Sequence, residues 1–422
     1  PAGRTTAFQV DAQGDLVRIT DPDGSTRRFQ YQQHRLTAQV SKRNFRTDYF
    51  YDTFGRLIRS RWPDGTTRQL TSQASATLFD PSSGFGSIAQ PAPVVRPADR
   101  VATVVSGAGQ ASTTSTNGFG QSTRMTDALG RVTTYVRDSD SLPTAVTLPD
   151  GAVVRTVYTN KSPTQVTYEG NNGPGSDDRV WRYTYDPVFN LLATVRDANG
   201  NTNPATGVTT LFGRDPRGNL IRVTDALNNV TQLAYDAPGQ GVAGIAGLLT
   251  STTDAAGKRT DFFYDPATAN VARIVDPTGR ITSYVYDSTG RVESVRAEGN
   301  DGISSTDQST SYSYDTLNRV LTVTDNLGLV TSSQYDAAGN LTRVTDAKPT
   351  PGITRFAYDS TDRLVSRTDP LGRLDRYSYD ANGDIRTRID RKGQSTTFTH
   401  DAARRLTRRD MPAGAFTQYG YD

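Results

Sequence analysis

The segment YDSTDRLVSRTDPLGRLDRYSY, residues 358 to 379, is one complete copy of the pattern that decides the fold of this chain. Two turn sequences, one at Asp359 and one at Asp369-Pro370-Leu371-Gly372, alternate with polar stretches. Aspartate in the first position of a turn accepts hydrogen bonds from nearby amides, proline presets φ at the second, and glycine tolerates a positive φ at the fourth. The segment therefore predicts a β-hairpin, with Tyr377 and Tyr379 on one face of its last strand.

The same pattern recurs along the chain at short and regular steps. The pair Tyr-Asp occurs ten times, at residues 51, 185, 235, 264, 286, 314, 335, 358, 379 and 421. After Tyr379 the spacing of 21 residues continues through His400-Asp401 to Tyr421-Asp422. A fixed short period is the signature of a repeat architecture. We therefore predict an array of hairpins of about 21 residues, with about 26 strands in a strip roughly 125 Å long.

The composition agrees with a sheet and excludes other classes of protein. The 422 residues include 41 Asp against 3 Glu and 42 Arg against 5 Lys, and the hydrophobic fraction is 34%. Because Glu, Lys and Met are good helix formers, their scarcity excludes a mostly helical fold. A sheet packed on both faces would read as continuous Val, Ile and Leu. The polar strands instead predict an all-β antiparallel sheet with solvent on both faces, which curls into a spiral or a hollow shell.

Several absences limit the chemistry and the location of the protein. The sequence has no cysteine, which excludes disulfide bonds and thiolate metal sites. No stretch approaches the ~18 apolar residues of a transmembrane helix, so we predict no membrane span. The chain starts at Pro1 with no visible signal peptide and stops within a repeat at Asp422. We therefore expect it to be a piece of a longer polypeptide.

The repeat divides the chain into three parts. Residues 1–71 and 119–422 read as hairpin repeats of one continuous array, and residues 72–118 read as an irregular insertion rich in Pro, Gly and Ser. Within that insertion, Val101 to Val105 is the one segment with the character of a strand. Further Gly- or Asn-rich insertions are expected to be hairpin loops on one rim of the sheet. They are Tyr168 to Asp178, Asn199 to Gly207 and Pro238 to Gly247. A further loop insertion, in one of the longer steps of the repeat, is Glu298-Gly-Asn-Asp-Gly302.

The sequence offers few residues for catalysis. The two histidines are His34 and His400, and a catalytic triad needs a positioned base. His400 occupies a tyrosine position of the repeat, so we interpret it as a substituted ladder aromatic. His34 lies in the polar, strand-like run from Gln32 to Arg35, which favours a surface role. The many aspartates stand at turn positions, where the fold needs them. We predict no catalytic residues and no enzymatic activity.

Two kinds of candidate ligand loop have simpler structural explanations. Asp21-x-Asp23 and Asp138-x-Asp140 resemble calcium loops, but the glutamate that completes an EF-hand is missing, which favours turn capping. Residues 239–244 match G-x-G-x-x-G, but no helix pattern follows them, which favours a loop over a nucleotide site. We therefore predict no metal site and no cofactor.

Arginine-rich pieces of the chain raise the possibility of nucleic-acid binding. Arg404-Arg405 and Arg408-Arg409 stand close to aspartates, and the net charge of the whole chain is only +3. This pattern favours cross-strand ion pairs over contacts with phosphates, so we predict no nucleic-acid partner.

The motif Tyr-Asp-x-x-Gly-Arg-Leu, followed by Thr-Asp-Pro-x-Gly and Tyr-x-Tyr-Asp, resembles the YD-repeat, or Rhs-repeat, family. Residues 51–57 and 286–292 are close matches to its first part. The resemblance covers nearly the whole chain apart from residues 72–118. It implies a spiral β-sheet that closes into a hollow shell. Bacterial members of toxin systems enclose a toxic C-terminal segment, animal relatives called teneurins act in cell adhesion, and wall-associated bacterial members also exist.

The sequence departs from the toxin-type members of that family at one point. Those members end the shell with a core-closing segment that carries a self-cleaving aspartate site, and no such segment is found here. The resemblance therefore implies the architecture more directly than the biological role.

Two hypotheses on function follow from the resemblance. The first is a shell module that encapsulates and protects a toxin-like cargo polypeptide for delivery, with the rest of its own chain and the enclosed cargo as partners. The alternative is an extracellular or cell-surface scaffold or adhesin that binds glycans or neighbouring cells. Secretion machinery is a further candidate partner. Both hypotheses imply a secreted or cell-surface protein, and an enzyme acting on polysaccharide or peptide lacks a concentrated set of catalytic residues.

Overall fold

The chain folds almost entirely into β-strands. A computed structural model describes residues 4–72, 100–117, 119–171, 173–175, 178–197, 208–236, 245–299 and 307–421. Within these ranges, 35 strands form one sheet, and the remaining element is a 3₁₀ turn at Pro412–Gly414. The predicted all-β fold, a continuous sheet of antiparallel hairpins, is confirmed. The predicted number of strands was too low, because segments that diverge from the repeat also form strands.

The strands follow one another at short intervals. The first eighteen are β1 (Ala7–Val10), β2 (Leu16–Thr20), β3 (Thr26–Gln32), β4 (Arg35–Val40), β5 (Arg46–Tyr51), β6 (Leu57–Arg61), β7 (Thr67–Ser72), β8 (Arg100–Val105), β9 (Ala111–Thr116), β10 (Ser122–Thr126), β11 (Val132–Arg137), β12 (Pro143–Thr147), β13 (Val153–Thr159), β14 (Ser162–Glu169), β15 (Arg179–Tyr185), β16 (Leu192–Arg196), β17 (Thr209–Arg214) and β18 (Leu220–Thr224). The others are β19 (Val230–Tyr235), β20 (Leu249–Thr253), β21 (Arg259–Tyr264), β22 (Val271–Val275), β23 (Ile281–Tyr286), β24 (Val292–Glu298), β25 (Gln308–Tyr314), β26 (Val320–Thr324), β27 (Val330–Tyr335), β28 (Leu341–Thr345), β29 (Ile353–Tyr358), β30 (Leu364–Thr368), β31 (Leu374–Tyr379), β32 (Ile385–Ile389), β33 (Ser395–His400), β34 (Leu406–Asp410) and β35 (Phe416–Gln418).

The two edges of the sheet differ in how their hairpins pair. We call the edge with the turns that follow odd-numbered strands the tyrosine edge, and the other the opposite edge. At the tyrosine edge, Tyr358 pairs with Leu364 but its neighbour Ala357 pairs with Ser366, so Val365 is an extra residue. At the opposite edge, β30 and β31 pair without interruption. Such bulges bend a strand and increase its twist, so the bulges found in most hairpins of the tyrosine edge curve the strands there.

The longer loops leave the sheet at both edges, so the prediction of a single rim is wrong. The connections from β14 to β15 and from β16 to β17 start and end at the opposite edge, whereas that from β19 to β20 starts and ends at the tyrosine edge. Residues 199–207 and 238–244 of these insertions lie outside the described residues. At the connection from β19 to β20 the Asp236 amide donates to the Leu248 carbonyl at 3.0 Å, as in a short turn. An insertion is tolerated at either edge because the hairpin ends beneath it stay paired.

Part of the segment predicted as an irregular insertion belongs to the sheet. Residues 100–117 contain β8 and β9, with β8 paired to β7 on one side and β9 on the other. The predicted strand from Val101 to Val105 is therefore confirmed. Residues 73–99 and 118 lie outside the described residues, and the proposed division at 72–118 stays a prediction.

The chain divides into two compact units. Unit 1 consists mainly of Tyr135–Ser313 and Val323–Leu329, and unit 2 of Gly3–Thr134, Tyr314–Thr322 and Val330–Asp422. Among the described residues of the whole chain, the buried hydrophobic side chains are only three alanines, Ala38, Ala145 and Ala152. Most tyrosines are half-buried instead. The protein is therefore stabilised by strand pairing and contacts along the sheet more than by an apolar core.

Candidate functional site

Each Tyr-Asp turn is held by its own aspartate. Oδ1 of Asp52 accepts hydrogen bonds from the amides of Phe54 and Arg56, both at 2.9 Å. The Gly55 amide donates to the Asp52 carbonyl at 3.0 Å, and its φ of 81° is in the region that favours glycine. The predicted turn chemistry is therefore correct, and it explains the Asp-x-x-Gly part of the motif.

Arginine and tyrosine join each turn to the next repeat. Nε of Arg363 lies 2.7 Å from Oδ2 of Asp359, and its guanidinium lies over the Tyr379 ring at 5.0 Å. The Tyr379 hydroxyl donates to the Leu364 carbonyl at 2.8 Å, next to the bulge where the ladder is interrupted. We call this set of contacts the repeat lock. It recurs with Asp315, Arg319, Val320 and Tyr335, and with Asp401, Arg405, Leu406 and Tyr421.

The repeat lock shifts the pKa values of its members in opposite directions. Burial acts to raise the pKa of Asp359, but hydrogen bonds from the Arg363 amide and guanidinium outweigh it and hold that pKa below its usual 3.8. Burial, together with the charge of Asp359, raises the pKa of Tyr379 above its usual value. Both shifts favour an ionised aspartate beside a neutral tyrosine, which is the arrangement that the contacts require.

The histidines occupy the places that structural roles require. His400 lies opposite Leu406 in the register of the repeat tyrosines, as predicted. His34 is in a two-residue turn with Gln33, both with positive φ, so the predicted strand-like setting is wrong. Its Nδ1 lies 2.9 Å from Oδ1 of Asp15, and 68% of its side chain is exposed. The side-chain hydrogen bond and the Asp15 charge raise the pKa of His34.

The aspartates of the calcium-like loops are engaged in other contacts. Oδ1 of Asp23 accepts from the amide and hydroxyl of Ser25, while Asp21 pairs with Lys42. Oδ1 of Asp138 caps the amide of Leu142 at 2.9 Å. Over the described ranges, no group of three His, Asp or Glu side chains is placed to hold a metal ion. The predicted glycine-rich loop at 239–244 lies outside these ranges.

The arginine-rich pieces carry ion pairs, but not directly across strands. Arg404 forms a two-pronged contact with Asp384 of the preceding hairpin turn, with distances of 2.8 to 3.1 Å. Arg405 pairs within its own turn, and Arg408 pairs with Asp410 along the same strand. The predicted pairing is present, while its geometry follows the turns because these place aspartates within reach.

Within unit 2, hairpins far apart in sequence contact each other through their turns. Nη1 of Arg43 donates to the Asp359 carbonyl at 2.8 Å and to Oδ1 of Asp362 at 2.6 Å. Its Nη2 donates to the Tyr358 carbonyl at 3.1 Å, and its Nε lies 3.3 Å from Oδ2 of Asp336. The side chain is only 18% exposed. One arginine from the opposite edge thus holds two turns of the tyrosine edge, and the turn at Asp359 is 316 residues further along the chain.

Further contacts continue this junction, which we call the winding contact. Oδ2 of Asp64 lies 3.1 Å from Nη2 of Arg363, so one arginine serves both a repeat lock and the winding contact. Nδ2 of Asn382 donates to Oε1 of Gln110 at 2.8 Å. A Cβ built on Gly107 would lie 2.6 Å from the Ala381 carbonyl oxygen, so glycine is needed at this close approach. Within unit 2, hairpins from the end of the chain therefore lie against hairpins from its beginning.

Neighbouring hairpins of unit 2 also share a buried cluster of charges. Asp375 is 2% exposed and Asp369 is 4% exposed. Nε of Arg391 lies 3.0 Å from Asp375, and its Nη1 lies 3.3 Å from Asp369. Arg373 completes the cluster by pairing with Asp369 at 2.8 Å. Because buried charges are costly unless they are paired, these contacts explain how two carboxylates are tolerated between turns of the opposite edge.

Family models match several parts of the chain. The model of the Teneurin YD-shell matches residues 264–422, and that of the RHS repeat matches residues 10–44 and 117–153. The first of these segments contains the three repeat locks described above, and the turn at Asp52 lies outside the matched segments. The chain therefore belongs to the YD-repeat, or Rhs-repeat, family and is a module of a YD-repeat shell. Among the described residues, no helix has the length and apolarity needed to cross a membrane.

Several solved structures match nearly the full length of the chain at low sequence identity. TcdB2-TccC3 is 14% identical with a TM-score of 0.42, and the similarity covers 97% of this chain and 29% of that chain. The same complex without its hypervariable C-terminal region is 13% identical, with a TM-score of 0.44 and coverage of 97% and 31%. The Tc holotoxin pore of Photorhabdus luminescens is 12% identical, with a TM-score of 0.45 and coverage of 97% and 28%. The chain thus spans less than a third of each, and no curated protein sequence matches it.

Proposed function

We propose that this chain is part of the wall of a hollow shell that encloses a cargo polypeptide and protects it until delivery. The winding contact is the observation that carries the proposal. A repeat sheet that only displayed its surface would need no contact between hairpins more than 300 residues apart. The guanidinium of Arg43 nevertheless contacts two distant turns, and its side chain is largely buried there. Contacts between hairpins that are far apart in sequence hold a curved strip of strands together as a wall.

The faces of the sheet suit a container. Each inner strand, such as β31 between β30 and β32, pairs on both sides, so it has no free edge that could pair with other chains. The described strands leave polar side chains half-exposed and bury few apolar ones. The strands also expose apolar side chains, such as Val157 (53%) and Val285 (54%), so the wall offers an enclosed chain a mixed polar and apolar surface. This role is structural, and none of the aspartates or histidines is assigned a catalytic step.

Protection from protease tests the proposal on the intact parent protein. If the parent encloses a non-repeat segment, that segment should resist proteinase K in the native particle and be digested once the particle is unfolded. Arg43→Ala should make the enclosed segment more accessible, because it removes all the contacts of one winding arginine. Arg259→Ala is the matched control, since Arg259 is 61% exposed and pairs with Asp261 of its own strand. Equal digestion of the segment in native and unfolded particles would refute the proposal.

A surface scaffold that contacts other cells is the second candidate function. It is favoured by large apolar side chains exposed at the turn tips, such as Phe54 (79%), Leu227 (82%) and Leu371 (75%). Either function implies a secreted or cell-surface protein. The scaffold hypothesis predicts that Leu227→Ser and Leu371→Ser abolish adhesion of cells to the immobilised protein while cargo protection is unchanged.

A further inference from the structure

The winding contact borders a cleft of about 520 Å³ within unit 2. Its lining includes Trp62, Arg68, Gln110, Ser112 and Asn382. A smaller cleft of about 230 Å³ shares Trp62 with the first and adds Phe45 and Pro63. An aromatic side chain therefore stands where two clefts meet, within a surface otherwise rich in hydroxyl and amide groups. Two adjoining clefts suit an extended ligand better than a single small molecule.

The turn that carries Trp62 does not need an aromatic residue. Its sequence is Trp62-Pro-Asp-Gly, and Oδ1 of the third-position Asp64 caps the amide and hydroxyl of Thr66. Two other turns of the opposite edge share the Pro-Asp-Gly sequence, with Asp21 and Leu148 in the first position. Because the fold accepts aspartate or leucine there, folding gives no reason for tryptophan at position 62. The cleft supplies such a reason.

The charges of the cleft are largely cancelled. Arg363 pairs with Asp64 and with its own turn aspartate, and Arg404 pairs with Asp384. Among the described residues, Arg68 is the cleft cation for which no ion pair is found, and it is exposed. Among the described residues of the cleft, an anionic ligand would therefore find one guanidinium that is not already in an ion pair. A neutral ligand matches the cleft better.

Polar groups in the cleft remain available for a ligand. Oε1 of Gln110 accepts from Asn382, but no hydrogen-bond partner for its Nε2 is found in the described part of the chain. The same holds for the hydroxyl of Ser112, which is half-buried. A flat aromatic ring beside amide and hydroxyl groups provides what a sugar needs, because a pyranose has an apolar C–H face and a rim of hydroxyls.

We propose that this cleft binds a neutral oligosaccharide, with Trp62 in contact with the apolar face of a sugar ring and Gln110 and Ser112 bonded to hydroxyls. The site lies at the turns of the sheet and does not depend on whether the shell encloses a cargo. It would give the wall a means of attachment to glycan-bearing surfaces.

Titration of the full chain with neutral tetrasaccharides tests this proposal. Maltotetraose, cellotetraose and chitotetraose are the probes, followed by calorimetry and tryptophan fluorescence. Trp62 and Trp181 are the only tryptophans, and Trp181 lines no part of either cleft, so Trp181→Phe leaves Trp62 as the reporter. At least one probe should bind and change the Trp62 emission.

Substitutions that the fold should tolerate distinguish a loss of binding from a loss of folding. Trp62→Leu copies the turn at Leu148 and should weaken binding about tenfold or more, through loss of the aromatic contact. Ser112→Ala should weaken it severalfold. Trp181→Phe should leave the affinity unchanged. Circular dichroism checks that the Trp62→Leu sheet is intact, and if that variant unfolds, Ser112→Ala alone carries the test.

Three results would overturn the proposal. The first is that none of the neutral probes binds at millimolar concentration. The second is equal affinity in the wild type, Trp62→Leu and Ser112→Ala. The third is a preference for a sulfated tetrasaccharide or for an unfolded peptide over all neutral probes, which would assign the cleft to an anion through Arg68 or to the cargo.

Discussion

Tyr379→Phe tests the repeat lock with the smallest possible change. The substitution removes one hydroxyl, which donates to the Leu364 carbonyl at 2.8 Å, and leaves the ring beneath the guanidinium of Arg363. A neutral hydrogen bond of normal length contributes about 1 kcal/mol to stability, and more if its acceptor is left buried without a partner. Tyr379 is only half-buried, so water reaches the freed carbonyl and the lower figure applies.

The loss should be local, because each hairpin of a repeat array depends mainly on its neighbours. A change of about 1 kcal/mol in the opening free energy corresponds to about fivefold faster hydrogen exchange. We expect that increase at the amides of β30 and β31, measured by mass spectrometry on the native protein. Hairpins two units away should exchange at the wild-type rate.

Tyr377→Phe is the matched control. Tyr377 lies on the same strand, and no hydrogen bond of its hydroxyl is found among the described residues. This substitution should leave exchange in β30 and β31 unchanged. If both variants accelerate exchange equally, or if Tyr379→Phe has no effect, the hydroxyl does not hold neighbouring repeats together and the repeat lock must be rejected.

Three further predictions concern the turns and the winding contact. Asp359→Ala should destabilise its hairpin by about 1 kcal/mol and Asp359→Asn by much less, since asparagine keeps the capping oxygen; equal losses in urea unfolding would contradict this. Gly107→Ala should push the Ala381 carbonyl away and lower the thermal midpoint of unfolding, whereas Gly420→Ala, in open space, should not. Acid should destabilise the fold, because the pKa of Asp52 is lower in the folded state than the usual 3.8 and its stabilisation is lost as the pH falls below that value. A thermal midpoint that stays constant between about pH 6 and about pH 2 would refute the acid prediction.

The local parts of the fold could be predicted from the sequence because each rule acts within a few residues. Asp52 caps amides two and four residues further on, so the turn follows directly from the motif. The hydroxyl partner of Tyr379 could not be predicted in the same way. The Leu364 carbonyl is 15 residues away, and its position depends on a bulge that no single residue of the sequence predicts. The turn at His34 was missed for a related reason, since it lacks the usual Gly or Asp signal.

The winding contact could not be predicted from the sequence. Arg43 and Asp362 are 319 residues apart, and many repeats offer an arginine and an aspartate at equivalent positions. The choice of partner depends on how much curvature accumulates over all the intervening hairpins. Each bulge and each insertion changes that sum. The cleft beside Trp62 was missed as well, although a tryptophan in a turn position usually held by a small polar residue was a visible signal.

The unusual composition of the chain follows from the geometry of the repeat lock. Aspartate carries its carboxylate on one methylene, close enough to cap its own turn, and the extra methylene of glutamate would move it away from those amides. The planar guanidinium of an arginine can pair with an aspartate and still lie over a tyrosine ring, as that of Arg363 does with Asp359 and Tyr379. The ammonium group of a lysine is compact and has no plane that could stack on the ring. Because many equivalent locks share the stability of the wall, the loss of one should loosen a single hairpin. The winding contacts described in unit 2 are fewer than the strand pairings, so a wall of this kind should open first at contacts such as those of Arg43.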